Sequence, residues 1–252
     1  MLWYKSWLDT RWRFLIPLAI LVVNICGLIF EYSHVADVLP TLRADGVGEG
    51  TLGRAIQEAI EAERTYGGFI WFQWFRQNLM QMGTIFAIFL GSGSLLSGAT
   101  GGTTFTLSLP VSRNRWLAVR VVMGLAELLA LTVVPSLAIP LVSPLIGQHY
   151  DVTHALVHAV CLSIVSGMFF SLAVLLSTEF ADTWRPLLFA TAAAIVIGLI
   201  ESQLNLYGFF RVMTGWTYYR TGSLPWVGLI VSAAISAALL FRASSNIARK
   251  DF

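Results

Sequence analysis

The segment Ala155–Leu176, ALVHAVCLSIVSGMFFSLAVLL, decides the fold class. It contains no Asp, Glu, Lys or Arg, and about 20 apolar residues suffice to cross a bilayer core of about 30 Å as an α-helix. The chain of 252 residues is 56% hydrophobic and 12% charged, whereas a soluble domain usually carries about 25% charged residues. Because the apolar residues come in long blocks, the sequence predicts an all-α integral membrane protein rather than a large soluble core.

Six such blocks predict six transmembrane helices in a single membrane domain over residues 1–252. The predicted spans are Phe14–Phe30, Leu79–Gly98, Trp116–Val142, Ala155–Leu176, Pro186–Leu206 and Pro225–Phe241. The third span contains Pro135 and Pro140, which predict a kink or an early helix end.

The basic residues predict the orientation, with both termini in the cytoplasm. This arrangement places ten Lys and Arg residues inside and six outside, in agreement with the positive-inside rule. Four of the six lie in the long first outside loop, Glu31 to Gln77, whose net charge is −3. The formal net charge of the chain, +2, is too small to indicate nucleic acid binding.

Two further helices are predicted outside the spans. Aromatic and apolar residues recur at helical spacing over residues 3–15, which predicts an interfacial helix or a simple aromatic anchor for the first span. In the outside loop, the apolar stripe over Thr51–Tyr66, capped by Thr51 and ended by the glycine pair that follows, predicts an amphipathic helix. Two aromatic runs, Phe69–Phe75 and Tyr207–Tyr219, predict a belt at the outer interface.

Two carboxylates lie within predicted spans. Glu127 is in the third span, where charge is costly and must face protein or water. It is either a substrate, proton or gating site, or a hydrogen-bonded structural residue paired with an arginine such as Arg120. Glu201 lies at the polar outer end of the fifth span and either lines an exit or marks the water interface.

Small residues spaced by four occur in the second and fifth spans. The rows are Gly83, Ala87 and Gly91, and Ala190, Ala194 and Gly198. Small residues let helices approach closely in lipid. Such rows are explained equally well by packing within one chain and by contact with a second copy.

Metal binding and hydrolysis are the chemical activities to weigh. The residues of a candidate metal cluster on the outer side are His149, Asp151, His154 and His158. The last two share a helix face, as in some zinc sites, but the cluster has no Cys or Glu partner. An intramembrane hydrolase would need a serine beside a histidine base. The candidate serines, Ser92, Ser94 and Ser97, lie at another depth than the histidines, so the chain is predicted not to be an enzyme and to have no catalytic residue.

The chain is also predicted to bind no cofactor and no nucleotide. The Gly/Ser-rich run Gly91–Gly98 has no lysine, which a phosphate-binding loop requires. An energy source for transport would therefore have to be supplied by another chain.

The stretch Gly101–Arg115 separates the second and third spans at the predicted cytoplasmic end. Within it, Gly102-Thr103 is followed by Leu-Ser-Leu-Pro-Val-Ser-Arg over Leu107–Arg113 and then by an apolar span. This pattern resembles the loop between spans two and three in permeases of the ABC type-2 exporter family. The resemblance implies that the loop docks on a separate ATPase subunit. The coupling residues that it implies are Leu107, Pro110, Val111, Ser112, Arg113, Arg115 and Trp116.

The resemblance further implies two permease copies and two ATPase chains in a bacterial cytoplasmic membrane, with ATP and Mg bound by the ATPase. The sequence departs from the family in two places. Ala99-Thr100-Gly101 stands where a charged Glu-Arg element is often found, and Arg120 stands where lysine is common. The alternatives to an exporter permease are a secondary transporter or channel and an intramembrane hydrolase.

Overall fold

The computed structural model describes residues 2–38, 63–93, 113–180, 182–204 and 208–249. Within these ranges the chain forms helices and no strand, which confirms the all-α prediction. The α-helices are α1 (Leu2–Val38), α2 (Tyr66–Phe69), α3 (Met80–Gly91), α4 (Arg113–Val142), α5 (Val152–Glu179), α6 (Trp184–Leu204), α7 (Phe209–Met213), α8 (Trp216–Thr221) and α9 (Trp226–Arg249). A π-helix, Ile70–Leu79, joins α2 to α3, and a 3₁₀ turn, Ser143–Ile146, follows α4.

Five helical segments in the described residues are long and apolar enough to cross a membrane, so the chain has the character of a multi-pass membrane protein. They are Thr10–His34, Asn114–Ile146, Val152–Glu179, Trp184–Gln203 and Trp226–Arg249. The most apolar window of α5 is 67% buried, whereas those of α6 and α9 are each 17% buried. A helix that is apolar all round belongs in the interior, and α5 accordingly forms the centre of the bundle.

The second predicted span, Leu79–Gly98, differs most from the structure. The helix begins at Tyr66 and continues through the π-helix into α3, which ends at Gly91. The Thr65 hydroxyl accepts a hydrogen bond of 3.1 Å from the backbone N–H of Gly68, which caps the first turn. The prediction that Gly67 and Gly68 end a helix is therefore wrong, because both lie inside α2. Residues 39–62 of the predicted outside loop lie outside the described residues. Residues 94–98 of the predicted second span do so as well.

The first predicted span is part of a longer helix. Helix α1 runs unbroken over 37 residues with Pro17 inside it, so the segment predicted as a separate interfacial helix continues directly into the span. Trp3, Tyr4 and Trp12 are exposed on this extension. This arrangement favours the simpler interpretation, an aromatic anchor at the membrane surface.

The other predicted spans agree with the structure in most of their boundaries. Helix α4 ends at Val142 as predicted, and both Pro135 and Pro140 lie inside it. The expectation of an early helix end is therefore wrong. Helix α9 continues beyond the predicted end at Phe241 as far as Arg249.

Helices α1 and α4 run in the same direction. The Thr10 hydroxyl, in the third turn of α1, donates to Oε1 of Glu127, halfway along α4. Near the C-terminal ends of both helices, the rings of Tyr32 and Tyr66 are 4.9 Å apart, and the Tyr66 hydroxyl lies 2.5 Å from Oγ of Ser143, directly after α4.

The helical segment from Tyr66 to Gly91 runs in the opposite direction, since Gly93 lies against Arg120 near the beginning of α4. Helix α5 begins beside Tyr150, whose ring is 6.4 Å from that of Tyr66, and packs farther along against the end of α3. We call the two ends of the bundle the Tyr66 end and the Gly93 end.

The small residues of α3 allow it to pack closely on α5. A Cβ added to Gly91 would lie 2.5 Å from the Phe170 carbonyl oxygen, and one added to Gly83 would lie 3.0 Å from Leu162 Cδ2. Ala190 and Ala194 of α6 are also buried within the chain. These contacts are the within-chain packing that was one of the two predicted explanations.

Candidate functional site

Glu127 is a buried carboxylate between α1 and α4. Its side chain is 4% exposed, and its Oε1 accepts the hydrogen bond from Thr10. Its Oε2 is buried and has no hydrogen-bond partner among the residues that the structure describes. Arg120, two turns earlier on α4, interacts electrostatically with the carboxylate. The predicted hydrogen-bonded glutamate is therefore present, but the sequence did not identify its partner Thr10, which is 117 residues away.

Arg13 and Arg120 converge next to this carboxylate, at Gly93. A Cβ added to Gly93 would lie 2.1 Å from Nη2 of Arg120 and 2.9 Å from Nη1 of Arg13. The two nitrogens are consequently no more than 5.0 Å apart, the sum of these distances. The Arg13 guanidinium also lies over the Phe89 ring, 5.2 Å from its centroid. From the sequence alone, Arg13 indicates only the orientation of the spans, whereas Arg120 is also a candidate partner of Glu127.

The predicted coupling residues Leu107, Pro110, Val111 and Ser112 lie outside the described residues, as does the Arg113 side chain. The described chain ends at Gly93 and resumes with α4 at Arg113. Because Arg120 contacts Gly93, both ends of the intervening segment lie at the Gly93 end of the bundle. In the first turn of α4, Arg115 is exposed, and Trp116 is half-buried and packs against the core.

The four residues of the candidate metal cluster do not form one site. Asp151 caps α5 by accepting a 2.8 Å hydrogen bond from the Thr153 backbone N–H, and this bond lowers the pKa of Asp151. His158 is buried, and its Nδ1 lies 3.1 Å from the Thr214 carbonyl oxygen. His149 and His154 remain exposed, and the described part of the chain contains no group of three His, Cys, Asp or Glu residues that could hold a metal ion. The metal interpretation is therefore wrong for these residues.

A serine–histidine pair is also not formed by Ser92. Its hydroxyl donates to the Phe89 carbonyl oxygen, and the adjacent Gly91 packs on Phe170. Phe170 is twelve residues from His158 on α5, or about 18 Å along the helix axis at 1.5 Å per residue. Ser94 and Ser97 lie outside the described residues.

Aromatic residues from both predicted runs pack together at the Tyr66 end, and we call this group the aromatic assembly. The rings of Trp71 and Tyr219 stack with centroids 4.3 Å apart, and Trp216 lies 5.3 Å from Trp71. The Trp71 indole N–H donates to the Thr214 carbonyl oxygen over 3.1 Å. Trp71, Trp74 and Phe75 are buried, so the predicted interfacial belt is corrected to a packed contact between the π-helix and α8.

Arg76 lies at the centre of this assembly. Its guanidinium carbon is 5.7 Å from the Trp71 centroid, 5.0 Å from that of Phe72 and 5.8 Å from that of Trp216. Arg220 lies over the other side of the assembly, 5.0 Å from the Trp216 centroid. These distances are within the range of cation–π attraction, which explains how an arginine is stabilised among aromatic rings.

The turn at Thr214 and Gly215 fits around His158. Gly215 has φ of +64°, and a Cβ there would lie 2.5 Å from His158 Nδ1. The His158 ring also packs 4.7 Å from Phe75 and 5.5 Å from Tyr218. The histidine thus fixes the position of α8 rather than serving as a metal ligand.

Glu201 caps the short helix α7. Its two carboxylate oxygens accept hydrogen bonds of 2.5 Å from the backbone N–H of Phe209 and 3.0 Å from that of Phe210. A carboxylate at a helix N-terminus satisfies backbone donors that have no partner within the helix. Glu201 therefore ties α7 to the end of α6, a structural role that neither sequence interpretation included.

No protein-family model, curated protein or solved structure matches the chain.

Proposed function

We propose that the chain is the membrane-spanning permease subunit of an ATP-driven ABC type-2 exporter in a bacterial cytoplasmic membrane. In this proposal the helical segment Tyr66–Gly91 is the sixth span, beside the five candidate spans. The path of this segment, from the Tyr66 end to the Gly93 end of the bundle, supports the proposal. Both termini would then be cytoplasmic, at the Gly93 end.

The observation that carries the proposal is the position of the segment with the family-like pattern Leu107–Arg113. The chain leaves α3 and enters α4 at the same end of the bundle, where Arg120 contacts Gly93. A partner that docks on the intervening segment would act on α3 and α4 together. It would also act on α1, through the hydrogen bond between Thr10 and Glu127.

The proposed unit contains two copies of this chain and two ATPase chains that bind ATP and Mg. ATP binding would draw the ATPase chains together and move the docked segments. Nucleotide can shift the spans between inward-facing and outward-facing states only if it binds the two states with different affinity. Export is thus driven by the partner, and this chain provides the path and the docking surface.

Substitution of Val111 tests the proposed docking surface. Burying one apolar side chain contributes about 1.5–3 kcal/mol, whereas an exposed ion pair contributes about 0–1 kcal/mol. Val111→Asp should therefore weaken ATPase binding at least about 10-fold, while Arg113→Ala should change it little. Co-purification of the ATPase and its substrate-stimulated hydrolysis measure the effect.

Val111→Leu is the matched control, because it keeps an apolar side chain at the same position. It should retain both the complex and the activity. A Val111→Asp protein that reaches the membrane and keeps the complete, active complex would show that this segment is not the docking element.

One observation favours the alternative of an ion-coupled secondary transporter. The buried Oε2 of Glu127, without a hydrogen-bond partner, is a position at which a coupling ion or proton could bind. Transport by reconstituted chain alone, driven by an ion gradient in the absence of ATP, would support this alternative over the exporter.

A further inference from the structure

We propose that Arg13 and Arg120, which converge on Gly93, bind the phosphate group of an anionic lipid in the leaflet at the Gly93 end. The proposal does not depend on whether the chain is an exporter permease. It concerns a site between α1, the end of α3 and the beginning of α4.

The geometry brings two guanidinium groups to one point. Nη1 of Arg13 and Nη2 of Arg120 lie within 2.9 Å and 2.1 Å of the position that a Gly93 Cβ would occupy. Guanidinium groups present several N–H donors in a planar fork that matches the oxygens of a phosphate. A residue larger than glycine at this position would displace both guanidinium groups.

The charges at this site do not balance within the group. Glu127 can neutralise one of the two arginines, and its Oε1 already accepts the Thr10 hydrogen bond. The electrostatic interaction of Glu127 is with Arg120, on its own helix, whereas Arg13 projects from α1. An anion that bridges the two arginines would offset the remaining positive charge where solvent screening is reduced by burial.

The depth of the site indicates a lipid as the source of the phosphate. Arg13 lies three residues after the beginning of the candidate span Thr10–His34, and Arg120 six residues after that of Asn114–Ile146. Trp12, next to Arg13, is exposed, as expected of an aromatic residue at the level of the headgroups. Basic pockets between transmembrane helices are established binding sites for anionic headgroups.

The experiment uses the full chain in detergent, titrated with phosphatidylglycerol, with phosphatidylcholine of the same acyl chains, or with inorganic phosphate. Thermal unfolding gives the stabilisation, and native mass spectrometry gives the lipid bound per chain. Phosphatidylglycerol should stabilise the protein, whereas phosphatidylcholine and inorganic phosphate should have much smaller effects.

Arg13→Gln should weaken phosphatidylglycerol binding about 10-fold to 100-fold, as expected for the loss of a charge-assisted hydrogen bond. Gly93→Ala should weaken it as well, because the added methyl group would displace both guanidinium groups. Arg11→Gln is the matched control: Arg11 is an exposed arginine on the same helix, and its substitution should leave binding unchanged. Asp9→Asn, one turn before Arg13, should not reduce binding either.

Two outcomes would overturn the proposal. Equal stabilisation by phosphatidylglycerol in the native chain and in folded Arg13→Gln would show that Arg13 does not bind the headgroup. An Arg13-dependent effect of inorganic phosphate that equals that of phosphatidylglycerol would show that free phosphate, not lipid, is the ligand.

Discussion

The Tyr66 end and the Gly93 end of the bundle are held together by different kinds of interaction. At the Tyr66 end, stacked rings, cation–π contacts of Arg76 and Arg220, and a hydrogen bond to the backbone join the π-helix to α8 and the turn before it. At the Gly93 end, Arg13 of α1 and Arg120 of α4 converge on the end of α3, and Arg120 also interacts with Glu127. The first arrangement relies mainly on aromatic packing, whereas the second brings charged side chains together.

Four buried polar atoms in the described residues have no hydrogen-bond partner there. They are the indole Nε1 of Trp74 on the π-helix, a neutral donor, Oε2 of Glu127 halfway along α4, Oδ1 of Asn24 and Oγ of Ser166. An unsatisfied charged group costs more free energy than a neutral one. The described contacts at the Tyr66 end are mostly between aromatic rings, whereas the Gly93 end brings together arginines from α1 and α4.

The largest expected effect tests the packing of the aromatic assembly. Trp71→Ala removes a side chain that is 1% exposed and should lower the free energy of unfolding by about 3–5 kcal/mol. Thermal or denaturant unfolding in detergent measures the change. Trp226→Ala, at a position 63% exposed, is the control and should have a small effect. Similar losses of unfolding free energy in the two variants would contradict this expectation, because the aromatic assembly would then contribute no more than a surface tryptophan.

A second substitution tests whether α8 is shaped around His158. Gly215→Ala should destabilise by the left-handed backbone cost of about 1–2 kcal/mol and by the displacement of His158. Gly222→Ala is the matched control, because Gly222 has φ of +70° but no atom within 4 Å of an added Cβ. The difference between their unfolding free energies isolates the His158 contact. Equal unfolding free energies would show that His158 moves aside without a loss of stability.

The charge at the Gly93 end is tested by two substitutions of Glu127. Glu127→Gln keeps an acceptor for Thr10, whereas Glu127→Leu leaves the Thr10 hydroxyl without this partner and should cost about 1–3 kcal/mol more. Expression level, thermal unfolding and transport are the measurements. If both variants express normally and lose transport equally, the charge of Glu127 has a functional role that hydrogen bonding cannot replace.

The smallest expected effect concerns acid stability at the Tyr66 end. The pKa of Asp151 is lowered in the folded state by its hydrogen bond from Thr153. Its contribution is therefore present above the unfolded pKa of about 3.9 and is lost as pH falls through the lower folded value. Asp151→Asn keeps the cap but should remove this part of the acid-side decline in unfolding temperature. A decline that is unchanged in the variant would contradict the assignment.

The sequence predicted the helices with the longest apolar blocks well and the second span poorly. In α5 the apolar block predicts both ends of the helix to within about one turn. The dense aromatic run after Tyr66 predicted an interfacial belt, because the sequence does not show that Trp71, Trp74 and Phe75 pack inside the protein. The glycine pair looked like a stop signal, yet the Thr65 cap begins a helix there.

Some residues of the candidate site could likewise be identified from the sequence, and others could not. Glu127 was identified because a carboxylate within an apolar span is unusual in any fold. Thr10, Arg13 and Gly93 could not be connected with it, since a threonine, an arginine near a span end and a glycine are ordinary residues at their own positions. The histidine spacing suggested a metal pair, but His158 is turned toward Thr214 and His154 toward solvent.

The sequence by itself determined that the chain is helical and built to cross a membrane, because apolar length and the lack of charge are local properties of each segment. The tertiary structure alone decided which polar groups meet. Thr10 and Glu127, Arg13 and Arg120, and Trp71 and Thr214 come from segments that are distant in the chain, and only the packing of the helices brings the members of each pair close together. The fold class follows from periodicity and length, whereas the sites arise from contacts that neither property encodes.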